Sequence, residues 1–419
     1  MSVDTPRHLD RPAPGPGWWR AGTGPAVPGW ALALLVYGVA RGISAGVTLI
    51  AADHQVANLW TPASPGYGEF ASMWDAARYR SIAEGGYPVP VPMDAAGRAL
   101  QSEWAFLPAY PALVRLVMLV TQLPFSVVGP TLSLLFGAGA AVFAYRLFAA
   151  HAGPGAALIG VALFSSFPSA PVMQYGYAES LCLFGLLGFL HEIDRRNHPA
   201  AAAFAVIACL SRPVGLALVP VAVVHLGVLL RQRRPAKGRG VPGQEPGEQT
   251  AWVGAAALVL VSTIAALAWP AIVAGVTGRV DGYTWVQVAW RVSNSMEYFT
   301  PWLWMSRYAL GAAGPVVLAL SVVALVIVLL SAPVRRLGVV MWTWCVSYAL
   351  YLAAVVDPFS SLPRFALLFV PLALALPRSV RPGRGRLILV VLTLVGFTLA
   401  QAWWILGLWT FTPPRDLPP

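Results

Sequence analysis

Six stretches of this chain, residues 30–51, 127–150, 253–274, 315–330, 339–356 and 387–409, carry at most one charge each. Most of them reach the ~20 apolar residues that a helix needs to cross the hydrocarbon core of a bilayer. The rest of the chain agrees: 58% of residues are apolar and 11% are charged, where soluble domains carry about 25% charged residues. The fold class that follows is an all-α polytopic membrane protein. Residues 156–171, 180–191 and 365–376 are shorter and read as partial or obliquely buried helices. Residues 200–230 have the length of a hairpin, interrupted at Arg212-Pro213. Residues 105–121 are apolar too, but Arg115 near their middle costs ~3 kcal/mol or more in a span. That segment therefore reads as an outer interfacial or re-entrant helix.

Lys and Arg concentrate in the short loops on the cytoplasmic side of membrane proteins. One threading puts Arg195-Arg196, the run 231–239, Arg335-Arg336 and the run 378–386 all inside. It starts from a cytoplasmic N-terminus, and loops 53–125, 171–178, 275–306 and 357–364 then face outward. Residues 1–28 are rich in Pro, Gly and Arg and lack the apolar core of a signal peptide, so they read as a disordered cytoplasmic tail. Residues 232–250 form a similar cytoplasmic linker. It divides the chain into a catalytic membrane module over 29–231, which includes outer loop 53–125, and a C-terminal membrane module over 251–419.

The net charge of +11 is scattered through the inner loops. Anionic lipid headgroups, and no nucleic acid, are the partners this distribution implies. Cys182, Cys209 and Cys345 all lie in apolar segments, without a partner at metal-ligand or redox spacing. No two of the six histidines have the i, i+4 spacing of a zinc helix. Phosphate-binding loops, dinucleotide fingerprints and nucleophile elbows are also missing from the sequence. The expectation is an activated substrate drawn from the membrane, with little or no dependence on a divalent metal and no cofactor.

Residues 73–88 place a carboxylate, Asp75, beside aromatics in the first polar loop after a span. A helix over 72–84 puts Asp75, Tyr79 and Ile82 on one face and ends at Gly85-Gly86. An Asp that merely caps the helix start is the plain structural alternative. Four other segments hold polar groups where a bilayer makes them expensive. Trp104 to Pro111 is an aromatic and proline run at the interface, and Gln174 to Ser180 sets Glu179 at the outer end of an apolar helix. Arg212 sits at a helix break that needs a lined cavity, and Arg364 stands at the outer mouth of 365–376. The planar fork of Arg suits bidentate phosphate binding, which makes Arg212 and Arg364 candidate phosphate clamps, with snorkelling or ion pairing as the structural alternative.

These segments resemble the PIG-V type of polyprenyl-phosphate-dependent mannosyltransferase, within the membrane glycosyltransferase superfamily called GT-C. The resemblance runs through Trp74-Asp75 with Tyr79, Ile82-Ala83 and Gly86-Tyr87, Phe106-Leu-Pro-Ala-Tyr-Pro111, Tyr177-Ala-Glu-Ser-Leu181, Ser211-Arg-Pro-Val-Gly215 and Pro363-Arg364-Phe365, in order over most of the chain. It departs from the family at Arg78, where an aromatic is common, and at Tyr177 to Ser180, where Thr or Ser-Glu-Ser variants occur; Arg78 puts the acceptor in question. The resemblance implies a GT-C-type bundle of about 10–12 spans, each of the length given above, with an outer-face loop carrying interfacial helices. It implies transfer of mannose from a polyprenyl-phosphate sugar to a glycolipid or glycan acceptor at the outer face of the cell membrane, with inversion. Asp75 is then the general base. Trp74, Tyr79, Tyr87, Tyr110 and Tyr177 bind substrate, together with Glu179, Arg212 and Arg364. A lipid or glycan transporter or flippase, or an inactive scaffold of envelope assembly, shares the same spans and charges and stays open at this point.

Overall fold

The computed structural model describes residues 27–232 and 246–413. Nearly all of the expected N-terminal tail and the body of the expected linker, residues 233–245, lie outside them. The described chain is helical, without a strand. In order, its elements are α1 (Gly29–Asp53), α2 (Tyr67–Phe70), α3 (Asp75–Gly85), α4 (Ala109–Thr121), α5 (Phe125–Ala152), α6 (Pro154–Ser165), α7 (Glu179–Asp194), α8 (His198–Ser211) and α9 (Gly215–Gln232). After the linker come α10 (Pro246–Thr277), α11 (Gly282–Val288), α12 (Thr300–Leu310), α13 (Gly314–Leu330), α14 (Ala332–Arg335), α15 (Val339–Val355), α16 (Leu362–Ala366), α17 (Ala375–Ser379) and α18 (Arg384–Trp403).

Among the described residues six helices are long and apolar enough to cross a membrane: Gly29–Asp53, Phe125–Ala152, Gly215–Gln232, Ala251–Thr277, Thr300–Leu330 and Arg384–Trp409. Their burial sorts them by position. In the span within Phe125–Ala152, 44% of the apolar window is buried, against 11% in Thr300–Leu330. The former is central; the latter presents Val316, Leu320 and Ile327 outward, as a lipid-facing helix does. Close helix approach in the centre depends on small residues. A Cβ at Gly185 of α7 would stand 2.7 Å from the backbone nitrogen of Ala208 in α8, so no side chain fits there.

α1 and α5 run antiparallel and α5 and α7 run parallel, so each chain reversal returns to one of two ends. Gly29 meets Tyr145 and Gly68 meets Ser126, while Ser133 Oγ donates to the Tyr177 carbonyl at 2.9 Å and His151 Nε2 lies 3.5 Å from Asp194. One end thereby gathers Arg196, which donates to Gln232, and Arg378, which donates to the Arg336 carbonyl. Asp75 lies at the opposite end. This arrangement and the enrichment of Arg on the inner side yield a labelling prediction. A cysteine at Gly66, exposed and with open space for a side chain, should react with impermeant thiol reagents in intact cells, and one at Gly385 should not. The native cysteines are buried and give little background. Labelling at Gly385 alone would invert the topology.

Several expectations change against the structure. The helix carrying Asp75 begins at Asp75 and not at residue 72, because residues 67–70 take their own short helix and Trp74 adopts φ 61°, ψ −127° between the two. Residues 171–178 are no exposed outer loop: every residue from 169 to 183 is buried. The segment packs into the bundle beneath the α1–α3 connection, where the Gly176 N–H donates to the Ala71 carbonyl at 2.9 Å. The apolar core is also continuous from Ala33 to Trp409, so the two expected modules share one core. α4 is a shorter apolar helix than the six above. Its 13 residues extend about 20 Å, short of a ~30 Å hydrocarbon core, and Leu116, Leu119 and Val120 are exposed along it. Arg115 donates to the carbonyls of Ala83 and Glu84 at 3.2 and 3.4 Å, closing the C-terminus of α3.

Candidate functional site

Asp75 is the first residue of α3, and its backbone N–H donates to the Tyr177 hydroxyl at 3.1 Å. The preceding Trp74 holds a left-handed φ that a bulky residue adopts only under constraint. Such strain, worth ~1–3 kcal/mol, gathers at functional positions and must be imposed by surrounding packing. Here the clamp is visible: Trp74 Nε1 donates to the Trp409 carbonyl at 2.7 Å, and its ring lies 4.6 Å from that of Trp60. Trp74 is thus 6% exposed and held by packing, and it fixes the backbone that leads into Asp75.

Four charged side chains, Asp75 among them, meet in one cluster. Arg364 Nη2 lies 2.9 Å from Asp75 Oδ2, and its Nη1 lies 3.2 Å from Glu179 Oε1. Arg212 Nη1 approaches the same Glu179 oxygen at 3.4 Å. Two carboxylates and two guanidiniums make the cluster formally neutral, which is what a low-dielectric interior requires of charges it buries. Ser361 Oγ accepts from Arg364 at 3.1 Å. Arg364 also lies 4.9 Å over the Tyr177 ring, and Arg212 lies 5.1 Å over that of Phe365; both are cation–π contacts. The fold supplies each member from a helix terminus. Glu179 opens α7, where the positive end of the helix favours a carboxylate. Arg212 occupies the extended break between α8 and α9 that the Arg-Pro pair anticipates.

Exposure separates the roles within this cluster. The Asp75 side chain is 18% exposed and that of Arg212 14%, whereas Arg364 is at 3% and Glu179 at 1%. Asp75 and Arg212 therefore form the open edge. Glu179 is sealed beneath both arginines, and the expected substrate contact becomes a positioning one. Glu179 Oε2 and Arg364 Nε are buried without a hydrogen-bond partner among the described residues, so the cluster carries unused bonding capacity.

Tyr79 joins the site through a hydrogen bond from Arg212, and burial pushes its phenol well above the ordinary range, which keeps it protonated. Its ring packs edge-on against Phe106, Tyr110 and Tyr177. Tyr110 and Tyr87 do not reach the charges. Tyr110 donates to the Gly129 carbonyl deep in the core. Tyr87 donates to the Phe106 carbonyl and packs against Trp104 and Trp269, tying the α3–α4 loop to α10. In this structure both hydroxyls are engaged by backbone carbonyls. Arg78, the departure from the family pattern, pairs with Glu103 at 3.4 Å and lies over Trp290.

Three features escaped the sequence reading. Arg291 and Asp357 form a largely buried pair at 2.5 Å. The strand of chain around Arg291 also closes the C-terminus of α15: Arg291, the Phe299 N–H and Trp302 donate to the carbonyls of Val355, Ala354 and Leu352. This strap reaches across to Phe106 through Trp290 and braces the segment that leads to Arg364. Arg41, in the middle of α1, donates to the carbonyls of Ser165 and Ala170; its signal was a charge inside a span. His198 and His225 come within 3.1 Å of one another from α8 and α9. Among the described residues no group of three or more His, Cys, Asp and Glu is placed to hold a metal ion. No protein-family model and no curated protein matches the chain.

Proposed function

We propose that the chain is an inverting glycosyltransferase that moves mannose from a polyprenyl-phosphate carrier to a glycolipid or envelope-glycan acceptor at the outer face of the membrane, within a GT-C-type bundle. The observation that carries this reading is the meeting of Asp75, Glu179, Arg212 and Arg364, contributed by segments far apart in the sequence, in one cluster with an acid at its open edge. Asp75 takes the proton of the acceptor hydroxyl as that oxygen bonds to the anomeric carbon, and the bond from that carbon to the phosphate oxygen breaks on the opposite face. The departing phosphate gains negative charge, which Arg212 and Arg364 stabilise. Arg364 has a second task. While Arg364 holds Asp75 at 2.9 Å, one carboxylate oxygen is occupied, and a donor phosphate competing for the guanidinium frees that oxygen to meet the acceptor hydroxyl. The loaded donor thereby switches on the base.

The test is incubation of the purified protein in lipid with labelled polyprenyl-phosphate mannose and a panel of envelope glycolipids. Label in a glycolipid product with inverted anomeric configuration is the expected outcome; absence of transfer to every acceptor counts against the reading. Arg212→Lys and Arg364→Lys should each raise the donor KM about tenfold or more, because Lys lacks the planar fork that grips a phosphate. Unchanged donor KM in both variants removes the phosphate role.

A further inference from the structure

An open groove of about 350 Å³ lies away from the charge cluster, lined by Trp60, Glu69, Ser72, Arg80, Glu84 and Ser126. On α3 the helical period puts Asp75 and Tyr79 on one face and Arg80 and Glu84 on the opposite one. The groove therefore runs along the back of the helix that carries the acid. Its volume is at the lower end of ligand sites, ~300–1,000 Å³, which suits a disaccharide-sized unit.

The lining chemistry is specific. Arg80 Nε pairs with Glu84 at 2.9 Å and neutralises one carboxylate. Glu69 accepts only the Gly66 backbone N–H, which leaves the groove with a net negative charge. Ser72 Oγ donates to the Gly68 carbonyl and keeps its lone pairs for an incoming hydroxyl. Carboxylates and hydroxyls that accept O–H donors, beside an indole that covers C–H surface, match a polyhydroxylated ligand. The surplus carboxylate repels an anionic one. At one end of the groove the Trp60 ring packs, tilted by 45°, against Trp74, the residue before Asp75.

We propose that this groove is a saccharide subsite that holds a neutral, disaccharide-sized part of the glycan acceptor. The word acceptor rests on the transferase reading above; binding itself does not need turnover. The experiment is saturation-transfer NMR on the protein in lipid nanodiscs, with a neutral mannose disaccharide and a uronic-acid disaccharide as probes. The wild-type protein should saturate the neutral sugar and bind the acidic one about tenfold more weakly. Ser81→Trp fills the groove from an exposed position on α3, and the pair Glu69→Gln with Glu84→Gln removes its acceptors. Each should weaken binding of the neutral sugar about tenfold, while Asp75→Asn should bind as the wild type does. No binding by the wild type, unchanged binding by Ser81→Trp, or equal binding of the acidic sugar overturns the proposal and leaves the transferase reading standing. Groove-dependent sugar binding by a protein that transfers no label would instead sink the transferase reading and keep the subsite.

Discussion

Asp75→Asn should abolish transfer while leaving the folded protein in place. The carboxylate stands at the open edge of the charge cluster, and Asn matches it in size but takes up no proton. Loss of general base catalysis is worth about 10²–10⁴ in rate. Structure suffers less, because Arg364 loses one partner and keeps Glu179 at 3.2 Å and Ser361 at 3.1 Å. The comparison to make is initial transfer rate against thermal stability in detergent, for both proteins. Near-normal turnover in Asp75→Asn would remove the base from the mechanism and move a transporter or scaffold role ahead of the transferase one.

Glu179→Gln should behave in the opposite way, with instability as its first symptom. From sequence alone Glu179 is a substrate-positioning acid whose amide variant retains partial activity. In the structure its side chain is sealed beneath two guanidiniums, and neutralising it leaves Arg212 and Arg364 to share the single carboxylate of Asp75. Removing one partner of a buried charge pair costs about 3–5 kcal/mol. The yield of folded protein and the temperature of unfolding should fall well below those of Asp75→Asn, and the surviving protein should show a raised donor KM, since both arginines lose their common anchor. A Glu179→Gln protein as stable as the wild type, with unaltered KM, would show that Glu179 does not organise the arginines.

The sequence reading succeeded where the cause is local. Four expected spans, 30–51, 127–150, 253–274 and 387–409, fall within a few residues of helices of spanning length, because apolar length is a property of neighbouring residues. The span expected at 315 instead starts at Thr300, Val339–Val355 is shorter than a span, and Gly215–Gln232, expected as part of a hairpin, reaches spanning length. The break at Arg212-Pro213 appears because Pro restricts the residue before it. Asp75 and Tyr79 share a face of α3 as their spacing requires. The same reasoning misplaced the start of that helix, since nothing local reveals that Trp74 is forced into a left-handed conformation by Trp409, more than three hundred residues away. It also took the tyrosines of the family-like motifs as ligand contacts. A phenol at the interface reads the same in sequence whether it meets a ligand or, like Tyr87 and Tyr110, a backbone carbonyl.

The sequence by itself determined that this is a helical, membrane-type chain and that Asp75, Glu179, Arg212 and Arg364 are charges an apolar medium will not tolerate alone. Only the tertiary structure decided how they pair. It set Glu179 beneath both arginines, left Asp75 at the open edge, and joined Arg291 to Asp357 in a strap that the sequence reading did not contain. The physical reason is that a low dielectric demands a partner for every buried charge without naming it. The partner is chosen by which helix ends the packing brings together, and for Arg364 and Glu179 those ends lie 185 residues apart.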